Sequence, residues 1–171
     1  MNSRAAIALL TFALAASGLA FAAAPAAGKI SEAQVRSVVG AMEEASKNGD
    51  PRTAASYMSD DCVIATSFPG KDGNKKVTKK DKRQYVAEET VTAAKHTQRE
   101  YETSKPEIVI EASGKSGTAS YKVRETYTED GRKVQVVAYE IATVELRGGD
   151  ALITAVDVDA VAMSVDDRQI F

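Results

Sequence analysis

The chain holds 171 residues, 44% of them hydrophobic and 27% charged, with 22 basic against 24 acidic side chains. That is the composition of a soluble globular domain; it excludes a disordered, collagenous or coiled-coil protein, and the missing basic excess excludes a nucleic-acid coat. One Cys and one His exclude an internal disulfide framework and a cysteine-based zinc site.

The chain opens with Met1-Asn2-Ser3-Arg4 and then runs uncharged from Ala5 to Ala27. A short basic start, an apolar stretch and small residues at its end read as an export signal. Ala20-Phe21-Ala22 fits the A-x-A cleavage pattern, and a cut after Ala22 keeps Pro25 away from the scissile bond. Residues 1–22 are therefore expected to be a signal peptide, 23–30 a short linker, 31–165 the folded domain and 166–171 a C-terminal tail. The expected location is periplasmic or secreted, with no stable membrane insertion once the signal is removed. Cys62 is then a free thiol, read as a small buried residue at the start of a strand.

Ser31 and Gln34 form a capping box, and Val35, Val38, Val39, Met42 and Ala45 recur at helical spacing up to Asn48-Gly49, which predicts an amphipathic helix. Asp50-Pro51 supplies an N-cap and a first-turn proline for a short helix through Tyr57 and Met58. Cys62 to Thr66 reads as a short strand stopped by Phe68-Pro69-Gly70. Lys71 to Val77 reads as a loop, after which Thr78 and Asp81 cap a third helix to about Lys95, with Tyr85, Glu89, Thr92 and His96 along one face. The run Lys71, Lys75, Lys76, Lys79, Lys80, Lys82 and Arg83 reads as a solvated surface rather than a contact for an anionic envelope.

From Gln98 onward the pattern is that of strands, over about 98–112, 117–129, 132–146 and 151–163. Asp130-Gly131 and Gly148-Gly149 are hairpin signals that set the registers. The first pairs Tyr127 with Val134, Glu125 with Val136, Val123 with Ala138 and Tyr121 with Glu140. The second, continued without interruption, pairs Val144 with Ile153, Ala142 with Ala155, Glu140 with Asp157 and Ala138 with Asp159. One face then carries Tyr121, Tyr127 and an aliphatic series with Glu125, Glu140, Asp157 and Asp159 set among it.

Opposed side chains lie about 5 Å apart, where two carboxylates repel by roughly 3 kcal/mol at an effective dielectric near 20. Glu140 and Asp157 so placed need a proton, a cation or water between them, which makes them the foremost site candidates. The competing reading is that this face is solvated there, or that a bulge flips the parity. A straight 14-residue strand would run about 46 Å, so a bend or bulge is expected.

The order of elements, with Tyr57-Met58-Ser59-Asp60-Asp61-Cys62-Val63-Ile64 entering a strand and the closing hairpin Val144 to Ile153, resembles the nuclear transport factor 2-like superfamily, in its SnoaL-like and ketosteroid-isomerase-like branch. The resemblance covers about residues 31 to 163. It implies an α+β cone, with three N-terminal helices packed on a strongly curved antiparallel sheet around a pocket, and a homodimer through the outer sheet face. Val137, Tyr139, Ile141 and Val158 fall on that outer face. Where the family's isomerases carry a base aspartate shortly after the Asp-Asp junction, this chain has Thr66. Asp157 falls near a position where many SnoaL-like domains place a polar pocket residue.

The leading functional expectation is an exported domain that binds a small molecule in a partly acidic pocket. Glu125, Glu140, Asp157 and Asp159 would form an acidic floor for an amine or a divalent cation, and Tyr121 and Tyr127 would stack on the ligand or wall it in. No cofactor, no resident metal and no nucleic-acid partner is expected. The enzymatic alternative is a lyase or isomerase in which His96 is the acid or base and Glu140 or Asp157 orients it. Against it, a histidine at a helix C-terminus commonly serves as a capping cation. The third reading is an interaction module whose pocket is merely its core.

Overall fold

The computed structural model describes residues 28–70 and 72–171; the expected signal peptide and most of the linker lie outside them. The first helix, α1 (Glu32–Lys47), starts at the Ser31 and Gln34 capping box and buries Val35, Val38, Val39, Met42 and Ala45. The second, α2 (Pro51–Ser56), starts at the Asp50 cap with Pro51 in its first turn. Both starts follow from local chemistry, because the side-chain oxygens of Ser31 and Asp50 satisfy amides that a helix leaves unpaired.

The chain then enters β1 (Met58–Pro69), β2 (Lys75–Asp81), α3 (Lys82–Lys95), β3 (Thr97–Thr103), β4 (Glu107–Ile110), β5 (Ser116–Glu129), β6 (Arg132–Arg147), β7 (Asp150–Val165) and β8 (Arg168–Gln169). Their order in the sheet is β2-β1-β7-β6-β5-β3, with β4 also on β5 and β8 on β7. The fold is the expected cone, a few helices packed on a large curved sheet. The sheet is mixed rather than wholly antiparallel, because β1 lies parallel to β7. A parallel neighbour requires a long connection, and here it is everything between the first strand and the last long one.

Several local expectations change. The region read as a loop before α3 is the edge strand β2, paired to β1 from Val63↔Asp81 to Pro69↔Lys75. Its sequence Lys-Lys-Val-Thr-Lys-Lys-Asp is exposed almost throughout, so no apolar alternation announces it, and its lysines suit an unpaired edge. The cap of α3 is Asp81 with Gln84, not Thr78 with Asp81. The segment 98–112 divides at Pro106 into β3 and β4, which pair with different stretches of β5. The C-terminal residues turn back at Asp166-Asp167, both in the left-handed region, so that β8 adds to β7.

The first hairpin holds its expected register along its whole length, including Tyr121↔Glu140. The second holds it only near its turn. Val144 pairs with Ile153, but Thr143 pairs with Ala155, leaving Thr154 as an extra residue; Ala138 pairs with Ala160 and Val137 with Ala162, leaving Val161 as another. Each bulge reverses which face the following side chains take. Between the bulges Val156, Val158 and Ala160 therefore face inward with Ala142, Glu140 and Ala138 as partners, and Asp157 and Asp159 face outward.

The core fills the cone between α1 and the sheet, with Val35, Val39, Cys62, Val144 and Ile153 fully buried. Burying each such aliphatic side chain contributes about 1.5–3 kcal/mol. Cys62 is part of this core, and desolvation lifts its thiol to about 11, as befits an inert buried residue. On the outer face Val63, Tyr139 and Ile141 stand exposed.

Candidate functional site

Inside the cone the polar side chains meet at Arg99. This residue projects inward from β3, where the ladder to β5 shifts register between Thr97 and Glu100 and Gln98 takes a positive φ. Its Nε donates to Glu125 Oε1 at 2.5 Å. Its Nη1 donates to the carbonyls of Ser46 and, at 3.2 Å, of Lys47. The guanidinium therefore closes the C-terminus of α1, where unpaired carbonyls attract a cation, and ties that helix to the middle of β5. It also lies 5.1 Å from the centre of the Tyr101 ring.

Two chambers meet at this ion pair, and Ser46, Tyr85, Glu89, Arg99 and Glu125 line both. The outer one, about 190 Å³, is further lined by Asp50, Pro51, Thr92, His96 and Tyr127. The inner one, about 200 Å³, reaches Met42, Met58, Thr66, Tyr101, Glu140 and Val158. Each is smaller than the roughly 300 Å³ at which drug-sized ligands begin to be enclosed.

Glu140 sits on the floor of the inner chamber, opposite Tyr121 in the β5–β6 ladder. Tyr121 Oη donates to its Oε2 at 3.1 Å. Desolvation raises the Glu140 carboxyl to about 7, with the Tyr121 hydrogen bond opposing and Glu43, Glu125 and Glu89 adding repulsion. Glu89 is raised chiefly by desolvation, although Lys80 draws it down. Glu43 is raised the same way, and its Oε1 is buried without a hydrogen-bond partner while Oε2 accepts from Thr103 at 3.3 Å. Burial lifts the Tyr85 phenol to about 12 and moves Tyr101 and Tyr121 upward too. At neutral pH the chamber thus holds phenols that stay protonated and, in Glu140, a carboxyl for which both protonation states are accessible.

Glu125, Glu140, Tyr121 and Tyr127 are brought to the interior, as the first register required. Tyr121 is not a chamber wall but a support behind it, only 4% exposed. One face of Tyr127 is covered by the His96 ring, stacked at 3.5 Å and 13°. Asp157 and Asp159 are corrected to the outer surface by the Thr154 bulge. Asp157 is exposed beside Ile141. Asp159 accepts from Ser67 at 2.9 Å and pairs with Lys75 at 2.8 Å, contacts that lower its carboxyl. The expected Glu140 and Asp157 pair does not form, so nothing on the final strand shares the charge of Glu140.

His96 follows the last residue of α3, and its backbone N–H donates to the Thr92 carbonyl. Its side chain turns inward and is 7% exposed, with Nδ1 3.9 Å from Glu125. It lines the outer chamber and Glu140 the inner one, so the pairing of His96 with Glu140 or Asp157 is also corrected. Sequence reasoning missed Arg99, Tyr101, Glu43 and Lys80 as interior residues. Alternation along β3 would have found Arg99 and Tyr101 once Tyr101 was taken as inward. Lys80 lies on a strand without apolar signal, where its ammonium meets Glu88 at 2.6 Å and Glu89 at 3.8 Å.

No family model matches the chain, and no curated protein matches it. Solved structures do. A ketosteroid isomerase-like protein from Erwinia carotovora atroseptica aligns with a TM-score of 0.57 at 14% identity, over 75% of this chain and 95% of that one. A putative scytalone dehydratase from Novosphingobium aromaticivorans aligns at 0.60 and 10%, over 77% and 85%. A nuclear transport factor 2-like protein from Cytophaga hutchinsonii aligns at 0.57 and 14%, over 77% and 100%. The chain has the nuclear transport factor 2-like fold, and at these identities the likeness extends to the fold alone.

The raised Glu140 carboxyl makes stability depend on pH. Its folded pKa lies above the unfolded value, so its contribution is complete below about pH 4.5 and is lost as pH rises through about 7. Across that window the loss is about 3 kcal/mol. Glu140→Gln is expected to flatten this part of the profile and to be the more stable protein at pH 8, as read by urea unfolding at pH 5 and pH 8.

Proposed function

We propose that the protein binds a small organic molecule in the inner chamber. The observation that carries this reading is a lined cavity whose floor holds a carboxyl, Glu140, met by the Tyr121 hydroxyl but by no cation among the described residues. A side chain with no role beyond packing would be replaced at lower cost by an apolar one. Apolar walls from Met42, Met58, Ile64 and Val156 would supply most of the affinity, and Glu140, Tyr85, Tyr101 and Thr66 the orientation. The reading includes export, with cleavage after Ala22, so the exported chain should begin at Ala23 in N-terminal sequencing.

A second reading, a lyase or isomerase, is favoured by the proton affinity of Glu140, since a carboxyl near 7 is matched to acid and base work at neutral pH. In that case Glu140, rather than His96, carries the proton. The structural neighbours include proteins described as isomerase-like and as a dehydratase, which is an analogy of fold.

Thr66→Leu narrows the inner chamber while leaving Glu140, Tyr121 and Arg99 in place. Compounds that raise the thermal midpoint of the wild-type protein by a few degrees should lose that effect in this variant, while its own midpoint stays close to that of the wild type. Shifts that survive the substitution would place the ligand elsewhere and contradict the reading.

We also propose that a second copy covers the outer face, where Val63, Tyr139 and Ile141 are exposed on a sheet whose other side is the core. Light scattering should give twice the chain mass for the wild type and the single mass for Ile141→Lys. A wild-type monomer at tens of micromolar would overturn this part.

A further inference from the structure

Three carboxylates line the inner chamber, Glu89, Glu125 and Glu140, and two cations, Lys80 and Arg99. Both cations are already engaged. Lys80 Nζ lies between Glu88 and Glu89, and the Arg99 guanidinium is divided among Glu125 and the two carbonyls that end α1. Glu140 is the carboxylate left over. Its Oε2 takes the Tyr121 hydroxyl, and its Oε1 has no hydrogen-bond donor among the described residues.

We infer that the ligand of the inner chamber is a small organic cation, a protonated amine on a short apolar body, with Glu140 Oε1 as its counter-ion. This rests on the binding reading above and gives it a ligand class. An anionic ligand would enter against three carboxylates and find no free cation among the described residues that line the chamber. A neutral ligand would leave Glu140 to be neutralised by a proton alone. A divalent ion lacks ligands, because among the described residues no group of three or more His, Cys, Asp or Glu side chains is placed to hold one. An alkyl- or arylammonium group fits the remaining features. Its body packs on Met42, Met58 and Val156, and the aromatic wall of Tyr85 and Tyr101 attracts a cation as well as apolar surface. Arg99 beside Tyr101 shows one such contact already made within the cone.

The charge bookkeeping predicts a pH signature. Glu140 is faced by Tyr121 and Glu125 from β5, Glu43 from α1, Glu89 and Tyr85 from α3, and Arg99 and Tyr101 from β3, with Lys80 of β2 in the same chamber. Of these, the carboxylates favour its protonated form. A bound ammonium favours the ionised form, so binding displaces a proton and strengthens as pH rises.

The experiment uses benzylamine, benzyl alcohol and benzoate, one ring with three charges, titrated calorimetrically into the wild-type protein at pH 6 and pH 8 and into Glu140→Gln at pH 8. Benzylamine stays protonated at both pH values. It is expected to bind at least tenfold more tightly than the other two at pH 8 and to weaken about tenfold at pH 6, the change in ionised fraction of a carboxyl near 7. In Glu140→Gln its advantage over benzyl alcohol should disappear. Benzyl alcohol binding as tightly as benzylamine to the wild type would overturn the cation assignment while leaving the chamber a binding site. Benzylamine binding that ignores both pH and Glu140→Gln would overturn the cation assignment too. Failure of all three to bind would contradict the binding reading itself. The pH comparison and the three-probe comparison both use the wild-type protein, so neither depends on the variant folding.

Discussion

Strands of fourteen to sixteen residues form the middle of this sheet, and the two extra residues in β7 interrupt its ladder to β6. A bulge increases local twist and reverses the facing of every side chain after it until the next one. In β7 that reversal decides the electrostatics of the interior. With an unbroken ladder, Glu140 would have met Asp157 at close range in a partly dry cone, with Asp159 one step further. With Thr154 inserted, Val156 and Val158 take the inward positions, and the two aspartates move out to water, Ser67 and Lys75. The curvature that makes the cavity also removes the charges that would have filled it.

Glu140 is left alone, at a position where burial resists its ionisation and only a phenol opposes that resistance. The neighbouring charges are arranged differently. Arg99 meets Glu125 and the end of α1, and Lys80 meets Glu88 and Glu89. These contacts join helix to sheet and occupy both chamber cations, so that Glu140 is the chamber carboxyl they leave without one. Paired buried charges contribute chiefly to positioning. A surplus one is costly unless something arrives to meet it, and that asymmetry connects the fold to the functional reading.

Much of the fold was legible because its signals are local. Capping boxes, a proline in a first turn and two-residue hairpin tips act within a few residues, and they placed α1, α2 and the whole β5–β6 register, including Tyr121 opposite Glu140. The remainder depends on partners distant in sequence. Nothing in Lys75 to Asp81 marks it as a strand, because β2 is made by pairing with β1 and buries almost nothing. The parallel contact of β1 with β7 joins the first strand to one almost a hundred residues later. A bulge was expected on length, but its location was not readable, since Thr154 and Ala155 suit either face. That single residue separated a correct placement of Glu140 from a mistaken one of Asp157 and Asp159. Arg99 shares the inward face of β3 with Tyr101 by plain alternation, but a charged side chain does not announce an inward face.

The account therefore turns on one side chain, a carboxyl held in the cone without a cation. Its titration is the most direct test, followed by carbon-detected nuclear magnetic resonance of glutamate side-chain carboxyls, with Glu140→Gln to assign the signal. The account predicts a midpoint near 7 for Glu140, well apart from the exposed glutamates. A midpoint in the ordinary range near 4.3 would show Glu140 to be solvated or paired, and would contradict it.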